Sequence, residues 1–367
     1  MLIYFILYFV LIFSGILDLC NIPASKKRFL LFFWVVVLTL FRGLRWETGT
    51  DWYMYLDIFE RIQWSELFSF IRYGEQKLEF GYAFLNLVVK SFGGGYTTFL
   101  IFTNAIILLI YADFSCKHSQ RFPLLLFIAI ITANNFFPVR QSLTVAIVMY
   151  SYRYVINRDF VKFIVSILIA ISIHSASLIF LPFYFLLRIK VPSLLLYVIM
   201  LSSLFVGEYL FKVMGYVING LSFLGSHFTR RLEIYATMAE GMFDKTERSL
   251  FNVFVNFVFL SLFLVVRKNR HGNYQLNVFL NSFVIGLAIT NMFYTYMQEL
   301  VRFASYFTIA SAVIYPYLME YFKQRYKLTL SLIFFFVLAL LMMHRFLRLL
   351  DFYPDNHFPY KSVISFL

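Results

Sequence analysis

The sequence predicts an all-α, polytopic integral membrane protein, and three observations carry that expectation. Hydrophobic residues make up 61% of the chain and charged residues only 14%, against roughly half and a quarter in a soluble domain. Mean hydropathy is +0.76. Apolar runs of a length suited to about 30 Å of hydrocarbon recur from one end to the other, separated by polar turns.

The net charge of +13 and pI of 9.6 could by size alone suit a polyanion, but the placement of the charge excludes a nucleic-acid partner. Lys and Arg gather in short turns: Lys26-Lys27-Arg28, Lys117 with Arg121, Arg158 with Lys162, Arg188 with Lys190, Arg267-Lys268-Asn269-Arg270, and Lys323 with Arg325 and Lys327. Short basic turns mark the cytoplasmic side, so nearly all the excess charge is expected inside, against membrane lipids. Cys20 and Cys116 fall at cytoplasmic helix ends in this topology, where a structural disulfide is not expected, and two scattered cysteines make no metal site.

Taken in order, Leu2–Leu19 is the first expected span. Nothing basic precedes it, so the N-terminus is expected outside. It lacks a basic n-region and a small-residue cleavage site, which argues against a cleaved signal peptide. Phe29–Phe41 returns outward into a polar outer loop, 42–79. There Gly49-Thr50-Asp51 reads as a turn and helix start, since Thr or Asp can cap orphan amides. Gly81–Phe92 is too short to span, so 80–95 is expected to be an interfacial or re-entrant helix ending at Gly93-Gly94-Gly95. No Lys-Ser/Thr follows those glycines, so they read as a hinge and not a phosphate loop.

Thr97–Phe114, Phe122–Phe137, Ser142–Ile156 and Phe160–Ile173 then alternate across the membrane. Ser177–Leu187 is a short return, with Pro182 as a kink. Leu194–Val206 leads to a second outer loop, 207–249. Phe251–Val266, Leu276–Met297, Phe303–Met319 and Leu328–Met343 follow, and an amphipathic tail, 344–367, lies outside. The total is about twelve spans in a single transmembrane domain, 1–367, with both termini outside.

The stretch from Phe136 to Pro182 organises the rest. It is almost wholly apolar, yet Arg140-Gln141 sits at the mouth of one helix and His174-Ser175 at the mouth of the next pair. With the turn Asn157-Arg158-Asp159 inside, Arg140 and His174 reach the same outer surface. Ionisable residues at membrane depth are costly and mark function or a partner. The outer surface favours Arg over Lys: Arg42, Arg45, Arg140, Arg230, Arg231 and Arg302. A guanidinium pairs bidentately with phosphate, so this bias suits a phosphate or pyrophosphate ligand.

His174 could act as a general base or bind a sugar or phosphate. Arg302 and Tyr306 are four apart on one expected helix face. The bland readings stand beside these: an interfacial Arg140 that snorkels, a satisfied interfacial His174, and a solvated loop face for Arg42, Glu47 and Asp51. No HExxH, CxxC, DxD, P-loop or GxSxG pattern occurs, and a metal-free, cofactor-free mechanism is expected.

Four segments, LFRGLRWETGTDWYMY, EFGYAFLN, FFPVRQSLTVAI with IHSASLIFLPFY, and ELVRFASYF, occur in an order and hydrophobic frame that resembles the EpsG-like branch of the Wzy-type polysaccharide polymerases, which include the O-antigen polymerases. The resemblance covers most of the chain, with Trp52 where that family commonly has Tyr. It implies a bacterial inner-membrane glycosyltransferase of the multi-helix, GT-C-like class. Its substrate would be an undecaprenyl-pyrophosphate-linked oligosaccharide, joined to a lipid-linked repeat unit on the periplasmic side or cell exterior. A chain-length regulator protein is a further candidate partner.

Carried onto this sequence, Arg42, Arg45 and Asp51 match the first motif, Arg140 and Gln141 the second, His174 the third and Arg302 the last. Arginines would hold the departing pyrophosphate. His174, or Glu47 or Asp51 in its place, would deprotonate the acceptor hydroxyl. The competing class is a lipid-linked glycan flippase, which should line a path through its spans with polar residues. A glycan ligase using the same surface is the third alternative.

Overall fold

The structure is a computed structural model that describes residues 2–20, 22–49, 51–67, 72–73, 76–134, 137–220, 249–269, 273–295, 298–326, 328–351 and 354–366. The first half contains α1 (Leu2–Ser14), α2 (Ala24–Gly43), β1 (Arg45–Trp46), α3 (Trp52–Arg61), β2 (Arg72–Tyr73), β3 (Gln76–Lys77), α4 (Phe80–Ser91), α5 (Tyr96–His118), α6 (Pro123–Ala133), α7 (Val139–Ile156) and α8 (Phe160–Ile173). A 3-10 helix, Ser175–Phe180, leads to α9 (Phe183–Leu186) and α10 (Ser193–Gly220). Then come α11 (Leu250–Asn269), α12 (Tyr274–Phe293), α13 (Gln298–Val301), α14 (Ser305–Thr308), α15 (Ile314–Arg325), α16 (Leu328–Asp351), α17 (Pro354–His357) and β4 (Lys361–Ser362). Sheet is confined to two-residue ladders, β1 with β4 and β2 with β3, among the described residues.

This is an all-α membrane protein. Among the described residues, four helices are long and apolar enough to cross a bilayer: Tyr96–His118, Leu250–Asn269, Tyr274–Phe293 and Leu328–Leu350. Shorter apolar helices cover Leu2–Asp18, Pro123–Ala133, Phe160–Ile173 and Ser193–Gly207. Helix α6, one of the shorter ones, lies inside the protein. Pro123 at its start pre-sets φ. Its 11 residues reach only about 16 Å, and they are buried nearly all round, as a helix apolar on every side should be.

The chain divides into two compact units, residues 1–184 with 312–367, and residues 185–311. In the first unit α2 and α5 run in close contact, and Gly43 makes that approach possible. A Cβ there would lie 2.8 Å from the Ile101 Cα. Asp159 caps α8 by accepting from the Lys162 amide at 3.1 Å. A buried Asp18 accepts from the Leu125 amide in the first turn of α6 (2.9 Å), where the helix dipole favours an anion, and pairs with Lys27 at 3.4 Å. The C-terminal segment returns to the start of the chain. Arg45 stands opposite Ser362 and Trp46 opposite Lys361. His357 is buried and stacks on Phe137 at 4.0 Å.

In the second unit α10 packs against α12. Asn291 on α12 donates to the Ser203 hydroxyl at 3.0 Å and the Met200 carbonyl at 3.3 Å on α10. Asn273 caps α12 through the Leu276 amide at 3.1 Å.

Candidate functional site

The first unit assembles a polar cluster from three elements that meet at the starts of α4 and α7 and the end of α8. Arg140 stands in the first turn of α7 and His174 follows the last residue of α8. Between them is Glu79, the residue before α4, in extended backbone. Arg140 Nη1 lies 2.6 Å from Glu79 Oε2. The other carboxylate oxygen, Oε1, faces His174 Nδ1 at 3.5 Å and accepts from the Ser175 amide and hydroxyl, each at 3.0 Å. Glu79 thus caps the 3-10 helix Ser175–Phe180, a favoured place for an anion.

Gly81 brings the two elements this close. A Cβ there would sit 2.8 Å from the Ser172 carbonyl oxygen on α8 and would also meet the Ser172 hydroxyl. On its other side Arg140 Nε donates to the Tyr55 hydroxyl at 2.9 Å, and the guanidinium lies over the Tyr55 ring at 5.2 Å and the Tyr82 ring at 5.6 Å. The side chains of Arg140 and His174 are each 15% exposed and that of Glu79 18%, so the cluster is shielded yet reachable.

Burial by itself would raise the Glu79 carboxyl. Hydrogen bonding with His174, the Arg140 charge and the Ser175 amide outweigh it and bring the group down to about 2. Glu79 is therefore an anion at any ordinary pH. Burial pushes the neighbouring Tyr55 phenol up, against the pull of Arg140.

The structure places the other expected residues as follows. Gln141 follows Arg140 and is half-buried. Arg42 and Arg45 are both only 2% exposed. Arg42 Nη2 donates to the Tyr8 hydroxyl at 3.0 Å, and Arg45 Nη2 donates to the Phe137 carbonyl at 2.9 Å. Asp51 is the residue before α3, and no bond from its side chain caps that helix. It lies within electrostatic reach of Tyr55 and Tyr96, and Tyr96 is in turn within reach of Arg45. Glu47 has a left-handed φ of 46° and pairs with Lys361 at 2.6 Å. Hydrogen bonds from Lys361 and Tyr53 hold its carboxyl below the usual range.

Arg302 and Tyr306 belong to the second unit. The expected continuous helix breaks there into the 3-10 turn Arg302–Ala304 and then α14. Arg302 lies over the Phe303 ring at 5.9 Å, and Tyr306 is fully buried. Arg230 and Arg231 lie outside the described residues.

Sequence reasoning singled out Arg140 and His174 but missed Glu79, which joins them, and Tyr55, which supports the arginine. The available signal was EFGYAFLN, where Glu79 stands two residues ahead of a glycine that admits close backbone approach.

A family model described as the EpsG family matches residues 28–362, nearly the whole chain. No curated protein and no solved structure matches it.

Proposed function

Because the chain belongs to the EpsG family, whose members are polymerase-type membrane proteins of polysaccharide synthesis, we propose that it is a glycosyltransferase acting on lipid-linked glycans. It transfers a growing glycan from undecaprenyl pyrophosphate onto a lipid-linked repeat unit at the periplasmic or outer face of a bacterial cell membrane. The Glu79-bridged pair of Arg140 and His174 is the observation that supports this assignment.

In the transfer, the bond from the anomeric carbon to the pyrophosphate oxygen breaks and a bond to the acceptor hydroxyl oxygen forms. The hydroxyl proton goes to His174. Donation of its Nδ1 proton to Glu79 leaves Nε2 as the acceptor and steadies the imidazolium that results. Negative charge grows on the departing pyrophosphate. Arg140 meets it from a fixed position, because Tyr55 and Glu79 hold Nε and Nη1 while no described residue bonds Nη2. Arg42 and Arg45 add buried positive charge to the same unit.

The test is the surface glycan of cells whose only copy carries Arg140→Ala. Removing a preorganised donor to a developing anion lowers the rate on the order of 10²–10³-fold. Long ladders should give way to glycans capped with a single repeat unit, at normal protein level. Arg140→Lys should restore little, because a point charge does not reproduce the planar fork. Loss of even the single-unit product would indicate a flippase. Full-length chains left on the lipid carrier would indicate a ligase. An unchanged ladder would reduce Arg140 to an interfacial anchor.

A further inference from the structure

The second unit carries an open cavity of about 900 Å³ where two basic turns come together. Both turns were expected on the cytoplasmic side, and positive-inside topology alone asks only that their charges face water. The structure does more with them. Arg267 at the end of α11 donates from Nη1 to the Val191 carbonyl at 2.9 Å and from Nη2 to the Ser193 hydroxyl at 2.5 Å, fixing the 188–193 turn. Arg188 Nε donates to the Tyr274 hydroxyl at 3.1 Å, tying that turn to the start of α12. The cavity is lined by Arg188, Lys190, Arg267 and Lys268, and no Asp or Glu lines it among the described residues.

Its remaining polar lining is hydroxyl and amide. Tyr197 on α10 donates to Ser261 on α11 at 2.9 Å, closing one wall. Part of its lining is apolar. Leu264 and Val265 line the cavity. On the same two helices, Leu194, Leu195 and Val198 of α10 and Phe254, Phe257 and Val265 of α11 leave a large part of their side chains exposed. A basic, hydroxyl-rich chamber on two helices with exposed apolar faces matches one class of ligand: a phosphate diester carrying acyl chains.

We propose that this cavity binds the headgroup of an anionic membrane phospholipid, with its chains lying along the exposed flanks of α10 and α11. The inference is independent of the proposed transfer reaction, since none of these residues belongs to the Arg140 cluster. Arg267 and Arg188 order the turns, and the exposed Lys190 and Lys268 add the charge that selects an anion over a zwitterion.

Native mass spectrometry of the purified full-length protein in detergent tests this directly. Phosphatidylglycerol and phosphatidylcholine of the same acyl length are added in parallel, and the former should be retained preferentially. The variant Lys190→Gln with Lys268→Gln alters only exposed side chains and leaves the Arg267 bonds in place. It should weaken phosphatidylglycerol binding about thirty-fold, from about 1 kcal/mol per basic group near an anionic lipid, and leave phosphatidylcholine unchanged. Equal retention of the two lipids by the native protein, or no loss in the double variant, would overturn the proposal. A third arm adds millimolar inorganic phosphate. If it displaces the phospholipid completely, the cavity is a free-phosphate site and the lipid assignment fails.

Discussion

A carboxylate set among aromatic rings keeps its charge only if its partners outweigh the water it has lost. Glu79 meets that condition with a guanidinium on one oxygen and the His174–Ser175 corner on the other. Its acidity predicts a pH dependence of defined sign. The folded value of about 2 lies below the unfolded value near about 4.3. Its contribution to stability is therefore full above the unfolded value and fades as pH falls from there through the folded one. Melting temperatures of the wild type and Glu79→Gln, taken in one detergent at steps from about pH 5 down to about pH 3.5, should differ by an amount that shrinks as the pH falls. A gap that widens over that range would contradict the assignment. Arg140 and His174 were legible in the sequence because each is an isolated ionisable residue at a helix mouth. Glu79 was not, since it reads as one more carboxylate in a polar loop beside Glu47, Asp51, Asp57 and Glu60. What buries it is a contact with a residue 95 positions away, and no local pattern announces that.

At the scale of elements, hydrophobic runs and breakers located the helices well and their partners poorly. The expected Phe160–Ile173 is α8 to the residue, and Gly81–Phe92 is α4 shifted by one. The expected return at Ser177–Leu187 becomes a 3-10 helix and one short turn, consistent with its length and Pro182. The expected tail from residue 344 starts inside α16, which continues to Asp351, and then turns back so that β4 pairs with β1. That pairing joins opposite ends of the chain through two residues on each side, too short to leave an alternating pattern. Gly81 states the packing rule in a testable form. Gly81→Ala puts a methyl against the Ser172 backbone, 2.8 Å from its carbonyl oxygen, and a backbone atom cannot rotate away. Helices α4 and α8 must separate, at a cost on the order of 1–3 kcal/mol, and Glu79 withdraws from Ser175. The expected result is a lowered melting temperature together with loss of polymer ladders, whereas Ala83, two residues on, should tolerate Ala83→Gly with a small stability loss only. A fully active, undiminished Gly81→Ala protein would show that the close approach is not needed.

At the scale of the whole molecule, function depends on which side of the bilayer the cluster faces. Helix α7 settles what must be measured. Its 18 residues reach about 27 Å, close to the thickness of the hydrocarbon, with Arg140 in its first turn and Arg158 just past its end. Arg158, with φ of 61°, makes the tight turn into α8, and α8 returns the chain to His174, so Arg140 and His174 share one end and Asn157 the other. Short basic turns stay in the cytoplasm, which predicts that the Arg140 end is external. Cys20 and Cys116 are the two cysteines of the chain. Replacing both with Ser gives a background for single exposed probes at Tyr53→Cys, in the helix that supports Arg140, and at Asn157→Cys. An impermeant maleimide added to intact cells or right-side-out spheroplasts should label position 53 and spare position 157 until the membrane is opened. Labelling of both from outside would deny that α7 crosses the bilayer. The reverse pattern would put the cluster in the cytoplasm, where an externally assembled glycan could not reach it, and the proposed transfer would have to be abandoned even if every distance in the cluster were right.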